Sequence, residues 1–154
     1  MATLLIVAHE PLASALAQVA GHTYPECADA LLALDVPAGA GGDDVQARIR
    51  SRLAGVGGDV LILADVFGAT PCNAAREVAR ELGERARIVA GVNVPMLWRT
   101  LCYGELSLAD LHARALGGAS QGVMNVPVSS APAVGPNTLR ESAADDPKRR
   151  HDQQ

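Results

Sequence analysis

The run Thr3-Leu4-Leu5-Ile6-Val7-Ala8 contains no alternation of apolar and polar residues. A strand with one wet face alternates; a continuous apolar run of this length, partly β-branched, reads as a strand buried on both faces. The run stops at His9. Glu10 and Pro11 follow, and then Leu12, Leu16 and Val19 recur at helical spacing. Pro11 near the start suits the first helical turn. His9 therefore stands where a buried strand ends and a helix begins. In open α/β sheets, ligands bind outside the carboxyl ends of strands, and helix N-termini there offer free N–H groups to an anion. The plainer alternative is that His9 is simply a polar residue ending a strand.

The same alternation recurs along the chain. Gly21 to Glu26 reads as a loop, and Ala30 to Val36 as a second strand whose Leu and Ala content also suits a helix. The loop Pro37 to Gly42 lacks the GxxxxGK[ST] pattern of a phosphate cradle. Asp43 or Asp44 can cap a helix carrying Val45, Ile49 and Leu53. Asp59 to Ala64 is a second both-face-buried strand, ending at Asp65. After the loop Val66 to Pro71, Thr70 is a natural N-cap with Pro71 at the first helical position. Ala74, Ala75, Val78, Ala79 and Leu82 give that helix its inner face. Arg87 to Val92 is a fourth strand. Asn93-Val94-Pro95 leads into a helix with Met96, Leu97 and Leu101, and Ser107 caps another, which Gly117-Gly118 ends. Ser120 to Val126 reads as a short edge strand.

From Pro127 onward, Pro, Ser, Ala and charged residues dominate and periodicity vanishes, the composition of a disordered tail. The expected organisation is one domain over residues 1–126 and a tail over residues 127–154. Repeated strand–helix order implies an α/β fold, a doubly wound, mostly parallel sheet of four strands plus a C-terminal edge strand, with helices on both faces.

Several functional classes are disfavoured. A net charge of -4 with no basic stretch in the domain argues against nucleic-acid binding. No apolar run is long enough to span a membrane, and the N-terminus lacks the features of a signal peptide, so a cytoplasmic protein is expected. Three cysteines, Cys27, Cys72 and Cys102, are an odd number without CxxC spacing. They indicate neither a disulfide framework nor a cysteine zinc site.

Sheets of this class commonly run 2-1-3-4, which sets the ends of the first and third strands side by side. His9 and Asp65 would then meet. Three readings of that pair remain open. The neutral imidazole can be a nucleophile, with Asp65 fixing its tautomer through the other ring nitrogen. Amides at the adjoining helix starts and the Thr70 hydroxyl would hold the oxygens of a phosphoryl group. The pair can instead be metal ligands, although two are too few and neither Cys72 nor His22 is suitably spaced. Or it can be a structural hydrogen bond. A hydrolase triad has no support, because there is no GxSxG motif.

Three segments carry a resemblance: the strand ending in His9, the stretch Asp65-Val66-Phe67-Gly68-Ala69-Thr70-Pro71-Cys72-Asn73-Ala74-Ala75, and Gly91-Val92-Asn93-Val94-Pro95-Met96-Leu97. Together and in this order, over residues 1–126, they resemble the mannose-type enzyme IIA family of the bacterial phosphoenolpyruvate-dependent sugar phosphotransferase system. The resemblance implies a phosphohistidine carrier without a cofactor or metal. His9 would accept a phosphoryl group from HPr and pass it to an enzyme IIB partner. Asp65 would hydrogen-bond the histidine; Gly68, Ala69 and Thr70 would shape the anion site, and Asn93, in the loop beside it with Pro95, would join them in binding the phosphoryl group. It also implies a homodimer in which residues around Gln121 to Val126 pair with the partner's sheet.

The chain departs from the family pattern where Glu10-Pro11 replaces a small residue after the histidine, and where Ala69 replaces a second glycine. A regulatory phosphoprotein read by a partner, without sugar transport, is the alternative function. The phosphotransfer subunit of a dihydroxyacetone kinase fits less well, because such subunits carry a different segment in place of Asn93 to Leu97. His22, His112 and His151 read as loop, helix-face and tail histidines. Trp98 can serve a docking surface or local packing, and Arg76 and Arg99 read as helix-surface charge.

Overall fold

Leu4, Ile6 and Ala8 enter one hydrophobic core while Leu5 and Val7 enter a second. Successive strand side chains point to opposite faces, so a strand with a core on each side must be apolar throughout. Val60 and Ile62 join the second core, and Leu61 and Leu63 the first. The same rule thus explains both continuous apolar runs.

The computed structural model describes residues 1–28 and 30–128; the expected disordered tail lies outside the described residues from position 129 onward. Met1–Met124 form one compact unit. Its elements are β1 (Thr3–His9), α1 (Leu12–Thr23), α2 (Pro25–Ala28), β2 (Leu31–Val36), α3 (Gly42–Arg52), β3 (Val60–Ala64), α4 (Thr70–Leu82), a 3-10 turn (Gly83–Arg85), β4 (Ala86–Ala90), α5 (Val94–Thr100) and α6 (Leu108–Gln121). The four strands are parallel, in the order β2-β1-β3-β4. Ala13 and Leu16 of α1, Met96 and Leu97 of α5 and Leu111 of α6 pack into the first core. Val45 and Ile49 of α3 and Ala74, Ala75 and Val78 of α4 pack into the second. Helices therefore cover both faces, as expected.

The differences are local. The Gly21–Glu26 stretch is not a loop: α1 continues to Thr23 and α2 begins at Pro25, where proline tolerates a first helical turn. Pro11 occupies the cap position of α1 rather than its first helical residue. Gly41 caps α3, and Asp43 and Asp44 lie inside its first turn, where their charge favours the helix dipole. Gly117 and Gly118 do not end α6. A Cβ on Gly118 would come within 2.7 Å of the Arg99 side chain, so a glycine inside α6 is what lets α5 approach closely. The helix consequently runs to Gln121, and residues 123–128 form no strand. The expected edge strand over Ser120–Val126 is absent from the described residues. Cys27 and Cys102 form a disulfide across 75 residues, against the expectation from cysteine count and spacing; Cys72 is buried and free.

Candidate functional site

β1 and β3 pair in register with Val7 opposite Ala64, so His9 and Asp65 emerge together at the carboxyl edge of the sheet. Asp65 Oδ2 lies 2.6 Å from His9 Nδ1 and also accepts the His9 backbone N–H at 2.9 Å. Its other oxygen accepts the Val66 N–H at 2.8 Å. Burial pushes the Asp65 carboxyl up, but the hydrogen bonds from the His9 amide, the His9 ring and the Val66 amide together hold it below the ordinary carboxylate range. An ionised carboxylate only accepts, so Nδ1 carries the proton in this pair. In the neutral ring, Nε2 is then the nitrogen with a free lone pair. The histidine side chain is 50% exposed and the aspartate only 10%: one partner is fixed and the other reaches solvent.

The loop after Asp65 leads into α4. Gly68 has φ +88°, a left-handed conformation that a side chain would strain. The Asn73 side-chain amide donates to the Gly68 carbonyl at 2.8 Å and the Asn73 N–H donates to the Ala69 carbonyl at 2.9 Å. Ala69, not Thr70, is the N-cap of α4; Thr70 is the first helical residue and Pro71 the second. The cap sits one residue early because Ala69 already has extended backbone, φ -81° and ψ 166°. No side chain caps this helix, so its first turn retains donors for an anion. Ala69 needs no positive φ, and the family's second glycine is replaced here without backbone strain.

The next loop is tied to Asp65 from the other side. The Gly91 N–H is shared between the carbonyls of Ala64 and Asp65 at 2.9 and 3.0 Å, and the Val92 N–H donates to Ala64. Asn93 is the N-cap of α5; its side-chain oxygen accepts the Met96 N–H at 2.9 Å. This local duty was not part of the sequence expectation for Asn93. Sequence reasoning also missed Asp35, whose carboxylate accepts the Ser14 N–H at 3.1 Å in the first turn of α1. Pro11 provides no side-chain cap there, and Asp35 replaces one from the neighbouring strand. The signal was a carboxylate near the end of β2, as His9 is at the end of β1. Val66 and Phe67 are exposed, Phe67 by 75%, and give the open site an apolar margin. Trp98 is 43% exposed on α5, next to Pro95 and Gly122.

The family model described as PTS system fructose IIA component matches residues 3–114. The fructose-specific EIIA component of Bacillus subtilis (strain 168) is 33% identical over 114 residues, 72% of this chain and 77% of that protein. Among solved structures, the mannose/sorbose-specific IIA subunit from Enterococcus faecalis superposes with a TM-score of 0.76 at 24% identity, over 84% of this chain and 98% of that one. The EIIA component from Streptococcus agalactiae gives 0.70 at 18% identity, over 81% and 97%. Both structures share the fold. A sheet order that pairs His9 with Asp65, and a family match running through β1, the α4 loop and the α5 loop, agree on one conclusion: the chain belongs to the mannose-type enzyme IIA family of the sugar phosphotransferase system.

Proposed function

We propose that the protein is a cytoplasmic phosphohistidine carrier that takes a phosphoryl group from HPr onto His9 and passes it to an enzyme IIB partner. The observation that carries this reading is the 2.6 Å contact between His9 Nδ1 and Asp65. With the proton held on Nδ1, Nε2 attacks phosphorus while the donor's bond to phosphorus breaks, and Asp65 stabilises the positive charge that develops on the ring. Phosphoryl transfer needs little more than positioning and charge stabilisation. The first turn of α4, with Gly68, Ala69 and Thr70, supplies donors for the phosphoryl oxygens. Asn93 supports the adjoining wall by holding α5. An exposed histidine bordered by Val66 and Phe67 suits a protein partner better than an enclosed metabolite.

A homodimer belongs to the same reading. β4 is an outer strand of the sheet, and Val123 and Met124 are exposed by 82% and 71%. An unpaired edge and an exposed apolar segment are what strand exchange with a second copy would use. Light scattering on the purified chain tests it, and a monomer at working concentration rejects it.

The deciding experiment is a phosphorylation assay with phosphoenolpyruvate, enzyme I and HPr, comparing wild type with His9→Ala and adding candidate IIB proteins. Acid-labile label that depends on His9 and chases onto a IIB is the expected result. Label on the His9→Ala variant moves the site elsewhere. Label that depends on His9 but chases onto none of the IIB proteins of the same cell favours the regulatory role.

A further inference from the structure

Cys27 lies on α2 and Cys102 two residues beyond α5. Their Cα atoms are 5.4 Å apart. The Glu26 carboxylate joins them: its oxygen and the two sulfurs lie within 4.8 Å of one another. Glu26 and Cys102 are exposed and Cys27 is half-buried. The three border a recess of about 400 Å³ that Glu105 also lines. Gly104, on the same recess, accepts the Ala2 N–H, so the cluster sits where β1 begins. His9 is at the other end of this seven-residue strand, about 20 Å away. The cluster has no part in phosphoryl transfer.

We propose that Cys27, Cys102 and Glu26 form a redox-gated zinc site. The proposal rests on the cytoplasmic placement given above, because a reducing compartment does not maintain an exposed disulfide. A dithiol reductant opens the bond by exchange: two electrons and two protons convert the disulfide to two thiols, and the reductant leaves as a disulfide. Zinc then displaces the two thiol protons. Two thiolates across a tetrahedral zinc stand about 3.8 Å apart for bonds of about 2.3 Å, so the sulfurs, bonded in the oxidised form, part on reduction by side-chain rotation over a Cα separation of 5.4 Å. Glu26 supplies the third ligand, and water or Glu105 the fourth. Sulfur donors select zinc over magnesium and calcium, which take oxygen ligands. Exchange with an oxidised dithiol reverses the electron balance and leaves no thiolate to hold the metal.

The test is a zinc competition titration against a chromophoric chelator, using the full chain in its reduced and oxidised forms. The reduced protein is expected to bind one zinc ion, at least tenfold more tightly than Cys27→Ser, Cys102→Ser or Glu26→Gln. The oxidised protein is expected to bind none, a control that requires no substitution. Cobalt added in place of zinc should give a thiolate charge-transfer band. Absence of zinc binding by the reduced protein, equal binding by the oxidised protein, or binding without that band overturns the site. The readout involves neither His9 nor HPr, so its failure leaves the phosphocarrier reading intact, and a failure of His9 labelling leaves the zinc result intact.

Discussion

Asp65 Oδ2 grips the main chain and the side chain of His9 together, accepting the backbone N–H at 2.9 Å and facing ring Nδ1 at 2.6 Å. The backbone bond locks the end of β1 to the end of β3, and the ring bond fixes the imidazole on that anchor. Orientation and tautomer therefore depend on one carboxylate.

Asp65→Ala should separate catalysis from stability. The variant is expected to unfold about 1.5–3 kcal/mol more easily in urea, the range for hydrogen bonds to a charged group. Its phosphorylation by HPr should slow by roughly 10²–10³-fold, the scale of losing one preorganised electrostatic partner of the transition state. Single-turnover labelling measures the second effect. Unchanged labelling kinetics in a folded variant would reject the orienting role.

The same carboxylate sets a pH dependence of stability. Its folded-state value lies below the ordinary one, so in the acid range the unfolded chain binds more protons than the folded one and stability rises with pH. Below about pH 5, where the ring of His9 no longer changes its charge, the difference in unfolding free energy between wild type and Asp65→Asn isolates this carboxylate. It should shrink as pH falls through the depressed value. Urea melts at successive pH values below about 5 check this, and a difference that grows on acidification in that range contradicts the sign.

The part of the site that depends on sheet order was legible, because strand ends carry their residues with them. His9 and Asp65 meet 56 residues apart in sequence only since β1 and β3 are neighbours, and that follows from two both-face-apolar runs. What escaped depends on single contacts. Asp35 caps α1 across a strand boundary, which no local pattern encodes. Ala69 outcompetes Thr70 for the cap through backbone conformation alone. Cys27 and Cys102 meet through α2, hidden in a stretch whose Gly, Pro and His content resembled a loop. The odd cysteine count pointed away from pairing, although a buried third thiol leaves two free to pair.

The two small residues of the α4 loop should respond differently to substitution. Gly68 sits at φ +88°, where an L side chain costs about 1–2 kcal/mol. Gly68→Ala should lower stability by that amount and slow phosphorylation by distorting the anion-facing amides. Ala69 has an ordinary φ, so Ala69→Gly should leave phosphorylation within a factor of about two and cost at most about 1 kcal/mol through added unfolded-state entropy. Labelling rates and urea midpoints on both variants decide it. A gain in rate from Ala69→Gly would mean the loop needs a flexibility that this conformation does not reveal.

Asn93 poses the sharpest division between a capping role and a phosphate role. Its side-chain oxygen is engaged by the Met96 N–H at 2.9 Å, and its side-chain amide reaches the Gly91 carbonyl at 3.3 Å. Asn93→Ala should lower stability by about 1 kcal/mol, the usual cost of losing a good N-cap. Asn93→Ser keeps an oxygen for the cap and should restore most of that stability, but it removes the amide donor. If Asn93 acts only by holding α5, labelling of Asn93→Ser should match wild type. A folded, stable Asn93→Ser that labels at least tenfold more slowly would assign the amide to the phosphoryl oxygens directly. The pair of variants thus measures how much of the α5 loop serves the helix and how much serves the phosphoryl group.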